Sequence, residues 1–383
     1  MVKDSLQTPL AYRELNKMQP HLSIVIPTWN RCEFLRENLL SIITEVRPFP
    51  SGSIEVFISD NHSTDGTGAL LQQLSQDYSF IRFRVQPENR GANFNFYTVL
   101  QQGQGEYLWL LGDDDAIVPG CIAKILADIE AYAQPGIIIG GTENDKTHAR
   151  IYLTKIRSHW ITDQTILCHY NAIHLAGKMS VLIFSKKILK KILSPSWPLI
   201  EKTRTPWPHL VWLLSALALD ERLLILPYAT NYILNKNRYN LLQDGVLRVE
   251  LVFVDYAALI KLLSPQFPIK IQRCLKQRIT KGGMGELFKM VAYSTYFNSY
   301  RKTIRAAWQT LCKLPGSGNK IIFFIFYGLP IILPCFLRKM LFQLLALLRP
   351  NWIAYTDFLA YLKQAKNLRK QAPARNFYDR SGL

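Results

Sequence analysis

The sequence predicts an α/β fold in which a mainly parallel sheet is flanked by helices and followed by a basic helical region. Two observations carry this prediction. In the first part of the chain, apolar strand patterns alternate with amphipathic helix patterns of about 10–15 residues, which is typical of βαβ units. Charge then divides the 383 residues: residues 1–150 contain 12 Lys and Arg against 18 Asp and Glu, and residues 151–383 contain 34 against 10.

Five strands are predicted in the acidic part, each a short apolar run bounded by turn residues. They cover Leu22–Ile26, Ser53–Asp60, Phe80–Val85, Tyr107–Leu111 and Gly136–Gly140. The helix patterns between them cover residues 32–46, 66–76, 92–102 and 120–132. Right-handed crossovers place the loops that follow the parallel strands along one edge of the sheet.

Unusual polar residues collect in the loops after the first four strands. These loops are Thr28–Arg31, Asp60–Asp65, Pro87–Asn93 and Gly112–Ile117. The last loop contains three consecutive aspartates, Asp113–Asp115. Because adjacent carboxylates repel one another, a bound cation favours such a cluster. Open α/β folds bind ligands at this edge, so the sequence predicts a divalent-metal site for a phosphate-bearing substrate.

The pattern is less regular after residue 150. Met179–Phe184 and Leu223–Leu226 are predicted strands, the second ended by Pro227, and Pro208–Leu219 is a predicted apolar helix. From about residue 250 the chain is predicted to be helical and basic.

Three regions follow from these patterns. We predict a polar tail over residues 1–20, an α/β domain over residues 21–240 and a helical basic region over residues 241–383.

Residues 320–349 are unusually apolar and include a run of 17 residues without a charge. A single membrane-spanning helix needs about 20 apolar residues, and Gly328, Pro330 and Pro334 interrupt this run. We predict that the segment lies in or dips into one leaflet of an anionic membrane, with flanking Lys and Arg at the head groups. A buried helical hairpin and a true span are the alternatives.

The six cysteines are scattered without a CxxC pair. This argues against a disulfide framework and a cysteine zinc site, and it suits a reducing compartment. The first residues lack the apolar core of a secretory signal. We therefore predict a cytoplasmic protein that is peripherally associated with the cytosolic face of the cell membrane.

The four polar loops together resemble those of the family 2 glycosyltransferases of the GT-A fold. They read PTWNR (27–31), DNHSTDGT (60–67), ENRGANFNF (88–96) and LLGDDDAIVPG (110–120). The resemblance covers roughly residues 21–135, and EYLWLLGDDDAIVPG is similar to the branch with abequosyltransferases and related O-antigen sugar transferases. It implies an inverting transfer of a sugar from a nucleotide-diphosphate sugar to a saccharide acceptor, expected to be lipid-linked.

The resemblance also implies roles for residues that bind the donor. Pro27, Thr28 and Asn30 would cup the nucleotide, and Asp60 would accept a hydrogen bond from its base. Arg31 and Arg90 would contact the diphosphate, with a solvated surface arginine as the alternative for each. Asn93 belongs to a loop that approaches the donor closely.

The aspartate run resembles the DxD motif of the family. A hard cation such as Mg²⁺ or Mn²⁺ would neutralise the leaving diphosphate. Asp115 is the first choice as metal ligand, and Asp113 would contact the ribose or the metal through water. Asp114, between them, is placed with the nucleotide-sugar-binding residues.

In the family, the general base is an acidic residue at the start of a helix after residue 170, and this sequence departs from that pattern. Here that stretch is Thr205–Leu214, where His209 is the titratable side chain. His209 is the predicted base or an extra metal ligand, with a structural histidine as the alternative. Glu143, Asp145 and Asp163 are rival candidates.

Other functions stay open at this stage. A nucleotidyltransferase of similar fold would need a glycine-rich loop after the first strand, and PTWNRCEF has no glycine. Without an acidic base, the protein could be an inactive glycosyltransferase-like scaffold. The basic half could bind nucleic acid, but its charges are mixed with long apolar runs, so we predict lipid and no nucleic acid.

Overall fold

The computed structural model describes residues 19–144, 153, 155–233, 255–277, 304–305, 308, 333 and 335–348. The first elements are β1 (Leu22–Thr28), α1 (Cys32–Val46), β2 (Ile54–Asp60), α2 (Thr67–Asp77), β3 (Ile81–Val85), α3 (Ala92–Gln102), β4 (Tyr107–Leu110), β5 (Asp115–Ile117) and α4 (Cys121–Ala131). Next come β6 (Ile137–Asn144), β7 (Trp160–Thr162), α5 (Ile166–His169), α6 (Ala172–Ala176) and, after a 3₁₀ turn at Met179–Val181, β8 (Leu182–Ser185). They are followed by α7 (Lys186–Thr203), α8 (Pro208–Ala218), β9 (Leu223–Ile233), α9 (Tyr256–Leu263), a 3₁₀ turn at Ser264–Gln266 and α10 (Cys335–Leu348).

Nine strands of the described residues form one sheet in the order β3-β2-β1-β4-β8-β6-β9-β5, with β7 beside β9. The first four are parallel, as predicted. Strand β8 runs antiparallel to β4 and β6, and β9 is parallel to β6 but antiparallel to β5 and β7. The α/β prediction is confirmed, and the second half of the sheet is mixed.

The sheet separates two hydrophobic layers because neighbouring side chains of a strand point to opposite faces. On β1, Ile24 and Ile26 pack in the layer that contains Leu35 of α1. Val25 packs in the other layer, with Val99 of α3. Every residue of β1 and β2 is buried, which is typical of strands covered by helices on both faces.

Several elements of the second half differ from the sequence prediction: β7, α5 and α6 were not predicted, and Met179–Val181 of a predicted strand forms a 3₁₀ turn. Strand β9 continues past Pro227, because the register with β6 shifts there: Ile139 pairs with Ile225, whereas Gly141 pairs with Ala229. The irregularity accommodates a proline that cannot donate to the ladder. Helix α7 was not predicted, and it contains both Pro195 and Pro198.

One disulfide corrects the expectation drawn from cysteine spacing. Cys168 in α5 is bonded to Cys274, with a Cα–Cα distance of 4.9 Å. Residues 269–277 are helical, so the bond fixes this helix to the α/β domain. Spacing could not show the pair because 106 residues separate the two cysteines.

The described parts of the basic region, which include α9, residues 269–277 and α10, are helical. Residues 1–18 of the predicted tail and 320–332 of the predicted membrane segment lie outside the described residues. Among the described helices, none combines the length and apolar character needed to cross a bilayer. The membrane segment and the three-region division therefore stay predictions.

Candidate functional site

The candidate site lies where the carboxyl ends of β1, β2 and β4 meet. Thr28 at the end of β1 is paired in register with Asp60 at the end of β2. The Thr28 hydroxyl donates a hydrogen bond of 2.8 Å to Oδ2 of Asp113, in the loop after β4. Three loops that the sequence predicted to meet at one edge therefore do so.

Arg31 joins two of the three aspartates. Its Nη1 donates to Oδ1 of Asp113 at 2.6 Å and to Oδ2 of Asp114 at 3.0 Å. Burial raises the pKa of Asp113 to about 6, Arg31 opposes this rise and the neighbouring Asp114 adds to it. The guanidinium thus occupies the position between two carboxylates.

Asp115 turns in a different direction because it is the first residue of β5. Its Oδ1 accepts from Nζ of Lys178 at 3.1 Å, and its Oδ2 accepts from the Ser180 hydroxyl at 2.5 Å. Burial raises the pKa of Asp115, Lys178 lowers it and Asp114 raises it. Asp115 therefore has its own cation and hydroxyl partner, separate from Arg31.

These contacts limit how a metal ion could be held. Among the described residues, no group of three or more His, Cys, Asp or Glu side chains converges on one point. However, Asp113 and Asp114 each place one oxygen within 3.0 Å of the same arginine nitrogen, so both can face one cation. One or two carboxylates plus phosphate oxygens are sufficient for Mg²⁺. The residues present therefore fit a dication that is completed by a diphosphate.

Asp60 is fully buried and has an oxygen that needs a donor. Its Oδ1 accepts from the backbone N–H of Ser63 at 3.1 Å and from the Ser63 hydroxyl at 2.5 Å. Its Oδ2 has no hydrogen-bond donor among the described residues. Burial raises the pKa of Asp60, and the Ser63 hydrogen bonds oppose the rise. A buried acceptor without a donor is costly, so a ligand N–H would be stabilising at this point.

Asparagines tie the loops of the site to one another. Oδ1 of Asn30, which follows Pro27 by three positions, accepts from the backbone N–H of Thr64 at 2.7 Å. Nδ2 of Asn61 donates to Oδ1 of Asn89 at 2.6 Å, and Oδ1 of Asn61 accepts from the backbone N–H of Arg90 at 3.1 Å. The first three loops therefore form one connected surface.

The two remaining predicted donor-binding residues lie at the third loop. The exposed guanidinium of Arg90 stacks on Phe94, 3.5 Å from the ring centroid, whereas the arginine that contacts Asp113 and Asp114 is Arg31. Nδ2 of Asn93 donates to the Thr205 carbonyl at 2.9 Å, which ties this loop to the segment before α8. Asn93 thus links the donor loops to the predicted base region.

Two buried asparagines that the sequence prediction missed hold the backbone of the site. Nδ2 of Asn38 donates to the carbonyl of Gly112 at 3.0 Å and to that of Asp115. Nδ2 of Asn95 donates to the carbonyls of Thr28 at 3.1 Å and Ser59 at 2.9 Å. Their position on the apolar faces of α1 and α3 was the signal that could have found them.

Lys178 and Ser180 were also missed, and no motif marks them. Ser180 Oγ accepts from the Gly112 N–H at 3.0 Å while it donates to Asp115. The Trp109 indole donates to the Ser180 carbonyl at 2.8 Å. The segment before β8 therefore packs against the aspartate loop. Only the folded sheet brings Lys178 and Ser180 close to this loop.

His209, the predicted base, lies inside the protein. It is 6% exposed, and neither ring nitrogen has a hydrogen-bond partner among the described residues. Burial lowers its pKa to about 4. The imidazole is therefore neutral and packed beside Trp207, with ring centroids 5.8 Å apart. This placement favours a packing role, and the base role stays a prediction.

The structure gives little support to the other candidates for the general base, which are Asp163, Asp145 and Glu143. Asp163 accepts from the backbone N–H of Thr165 at 2.7 Å, and this bond lowers its pKa, as expected of an Asx turn. Asp145 lies outside the described residues. Glu143 is the second-to-last residue of β6 and is partly buried.

Comparison with known proteins agrees with the geometry. The family described as Glycosyl transferase family 2 matches residues 23–192. Abequosyltransferase RfbV of Salmonella typhimurium is 36% identical over 113 residues, which cover 29% of this chain and 33% of that protein. The GalNAc(5)-diNAcBac-PP-undecaprenol beta-1,3-glucosyltransferase of Campylobacter jejuni is 31% identical over 116 residues, which cover 30% and 36%. The chain thus spans about a third of the length of these relatives.

Among solved structures, the mannosyltransferase PcManGT of Pyrobaculum calidifontis, in complex with GDP-Man and Mn²⁺, is similar in fold. The two chains share 13% identity with a TM-score of 0.48, and the likeness covers 88% of each. A likeness at this distance carries no argument about function.

Proposed function

Because residues 23–192 match glycosyl transferase family 2, we propose that the chain belongs to this family and transfers a sugar from a nucleotide-diphosphate sugar to a saccharide acceptor. The observation that carries this proposal is that Asp60, at the end of β2, and Asp113, after β4, lie on either side of Thr28 at the end of β1. Asp60 offers a buried acceptor oxygen without a described donor, and Asp113 is held by Thr28 and Arg31. The acceptor oxygen of Asp60 suits an N–H of a nucleotide base, and the positive charge of Arg31 beside Asp113 suits a diphosphate.

In this proposal, each end of the donor meets a different set of residues. Asp60 Oδ2 accepts from a base N–H, and Pro27, Thr28 and Asn30, at and just after the end of β1, lie against the nucleoside. Arg31 supplies a permanent positive charge to the diphosphate, because a guanidinium keeps its proton at all relevant pH values. Arg90, at the neighbouring loop, is a further candidate for this contact.

The transfer we propose is a single in-line displacement with inversion. An acceptor hydroxyl oxygen attacks the anomeric carbon, the bond from that carbon to the diphosphate oxygen breaks, and its electron pair leaves with the nucleoside diphosphate. The hydroxyl proton passes to a general base. His209, the candidate predicted from the sequence, is buried in the structure. The chain holds the donor still and provides charge where the leaving group becomes negative.

We propose Mg²⁺ or Mn²⁺ as the cofactor, held by the aspartate loop. When bound, the ion neutralises charge on the leaving diphosphate. The proposal is supported by Asp113 and Asp114, which each place one oxygen within 3.0 Å of Arg31 Nη1. Asp115, the predicted first ligand, would have to leave Lys178 and Ser180 to join them.

We further propose a lipid-linked acceptor at an anionic membrane surface. The Campylobacter relative acts, by its name, on a saccharide carried by undecaprenol diphosphate. In this chain, the exposed side chains on α10 include Phe336, Leu337, Met340 and Leu344. Together with the 34 Lys and Arg against 10 Asp and Glu after residue 150, these residues suit an interfacial helix at the cytosolic face.

The deciding experiment measures donor use directly. Purified protein is mixed with UDP-, GDP-, CDP- or dTDP-sugars and an acceptor-lipid extract, with Mg²⁺, Mn²⁺ or EDTA, and released nucleoside diphosphate is quantified. We expect release with one donor class, lost in Asp113→Asn and kept in Asp77→Asn, an exposed residue of α2.

Other outcomes decide between the proposals. Release of inorganic pyrophosphate would indicate a nucleotidyltransferase. Thermal stabilisation by a donor without turnover would indicate an inactive scaffold. Equal release in the Asp113→Asn variant would refute the proposed site.

A further inference from the structure

The aspartate loop receives a cation from each of the two strands that flank it. In the sheet order, β4 lies between β1 and β8. Arg31 follows β1 and contacts Asp113 and Asp114. Because β8 runs antiparallel to β4, its amino end lies at the carboxyl end of β4, and Lys178 shortly precedes it.

We propose that Lys178 is a second donor-binding cation, which contacts the diphosphate of the nucleotide-sugar while Asp115 holds it in place. This inference rests on the proposed function. It assigns a role to a residue that no motif marks and that reaches the aspartate loop from the side opposite Arg31.

The contacts of Lys178 leave it able to bind a ligand. Its ammonium has three N–H donors, and in the described part of the chain its partner is Asp115 Oδ1, at 3.1 Å. Its side chain is 26% exposed, whereas that of Asp115 is 6% exposed. A lysine ammonium binds phosphate as a point charge and rotates freely, so it can serve a carboxylate and a phosphate together.

Asp115 is held in place independently of Lys178. The Ser180 hydroxyl donates to its Oδ2, and the same hydroxyl accepts from the Gly112 N–H. The packing there is tight, because a Cβ added to Gly112 would lie 3.2 Å from Ser180 Oγ and 3.2 Å from Met179 Cε. The Asp115 carboxylate would therefore keep its position while the Lys178 ammonium used its other N–H groups to bind a diphosphate.

The charge at the loop also favours this role. Three aspartates meet two cations, Arg31 and Lys178, so an arriving diphosphate needs positive charge that the carboxylates have not neutralised. Arg31 already divides one nitrogen between two aspartates. Lys178 contacts a single one.

The test measures binding by calorimetry in EDTA, so that it is independent of turnover and of metal. UDP, GDP, CDP and dTDP are titrated into the wild-type protein, and the diphosphate that binds most tightly is used with its own uncharged nucleoside. The variants are Lys178→Gln, Lys178→Arg and the control Lys190→Gln, at an exposed position of α7.

We expect Lys178→Gln to weaken diphosphate binding about tenfold, the size of one charge-assisted hydrogen bond, and to leave nucleoside binding unchanged. Lys178→Arg should restore most of the loss, and Lys190→Gln should bind as the wild type does.

Two results would overturn this inference and leave the proposed function standing. One is diphosphate binding by Lys178→Gln at wild-type strength. The other is an equal loss of diphosphate and nucleoside binding in both Lys178 variants, which would show a structural role. A wild-type protein that binds none of the four diphosphates, in EDTA or with Mn²⁺, would overturn the proposed function and this inference with it.

Discussion

The hydroxyl of Thr28 donates a 2.8 Å hydrogen bond to Oδ2 of Asp113, although 85 residues separate the two in sequence. Both residues are buried. The bond joins the ends of β1 and β4 and orients a carboxylate whose other oxygen faces Arg31. The aspartate loop is therefore positioned before any ligand arrives.

Thr28→Val should destabilise the protein by about 1–3 kcal/mol, because the buried Asp113 Oδ2 would lose its donor. Guanidinium denaturation measures this free energy of unfolding. Thr28→Ser keeps the hydroxyl and serves as the matched control. If the valine variant is as stable as the serine variant, the hydrogen bond is not formed in solution.

Asp60→Asn should weaken binding of the preferred nucleoside diphosphate at least roughly tenfold, because the amide oxygen stays with Ser63 and an NH2 donor replaces the Oδ2 acceptor. It should not lower stability, since burial already raises the pKa of Asp60 and a neutral amide avoids that cost. Calorimetry and thermal melting together separate these effects, with Asp77→Asn as the control. Unchanged binding would remove Asp60 from the nucleotide site.

Stability should fall on acidification because of His209. Its ordinary pKa is 6.5, and burial lowers it to about 4 in the folded protein. Between these values the unfolded chain takes up a proton that the folded protein does not, so unfolding becomes easier as pH falls. From pH 7.5 to about 4.5 the wild type should lose about 2–3 kcal/mol more than His209→Phe. Parallel losses in both proteins would contradict a buried neutral His209.

The same variant tests the predicted base. Loss of a general base should lower kcat at least about 100-fold while KM is kept. Because His209 is buried, we expect instead that His209→Phe lowers kcat only in proportion to the fraction of the protein that remains folded. A deep fall in kcat for a fully folded His209→Phe protein would establish the base role.

The Cys168–Cys274 bond should contribute about 2–5 kcal/mol, because it closes a long loop. Guanidinium denaturation of oxidised wild type and of the Cys168→Ser, Cys274→Ser double variant measures this difference. Wild type in excess reductant is the control and should match the double variant. Peptide mapping that finds both thiols free in the native protein would exclude the bond.

Phe336→Ser combined with Met340→Ser should weaken binding to phosphatidylglycerol vesicles about tenfold or more, because both side chains are exposed apolar groups of α10. Vesicle flotation measures the bound fraction. Leu40→Ser, at a position 57% exposed on α1, is the control. A variant that floats as the wild type does would place the membrane contact elsewhere.

Elements with local signals were predicted at or near their bounds. Helices α1 and α3 begin and end where their apolar periodicity and turn residues indicated. Helix α7 was missed because two prolines are poor local evidence for a helix, while its buried Ile188, Ile192 and Ile200 add to the core in spite of them.

The sequence by itself determined the α/β class and the meeting of Thr28, Asp60 and Asp113 at one sheet edge. These follow from local periodicity and from the rule that parallel strands end on the same side. Only the tertiary structure decided that Asp115 faces Lys178 and Ser180 instead of Asp113, and that His209 is buried. The reason is physical: pairing of β5 with β9 and of β8 with β4 brings Asp115 beside Lys178 and Ser180, and packing of α8 into the core buries His209. Such non-local contacts leave no local pattern.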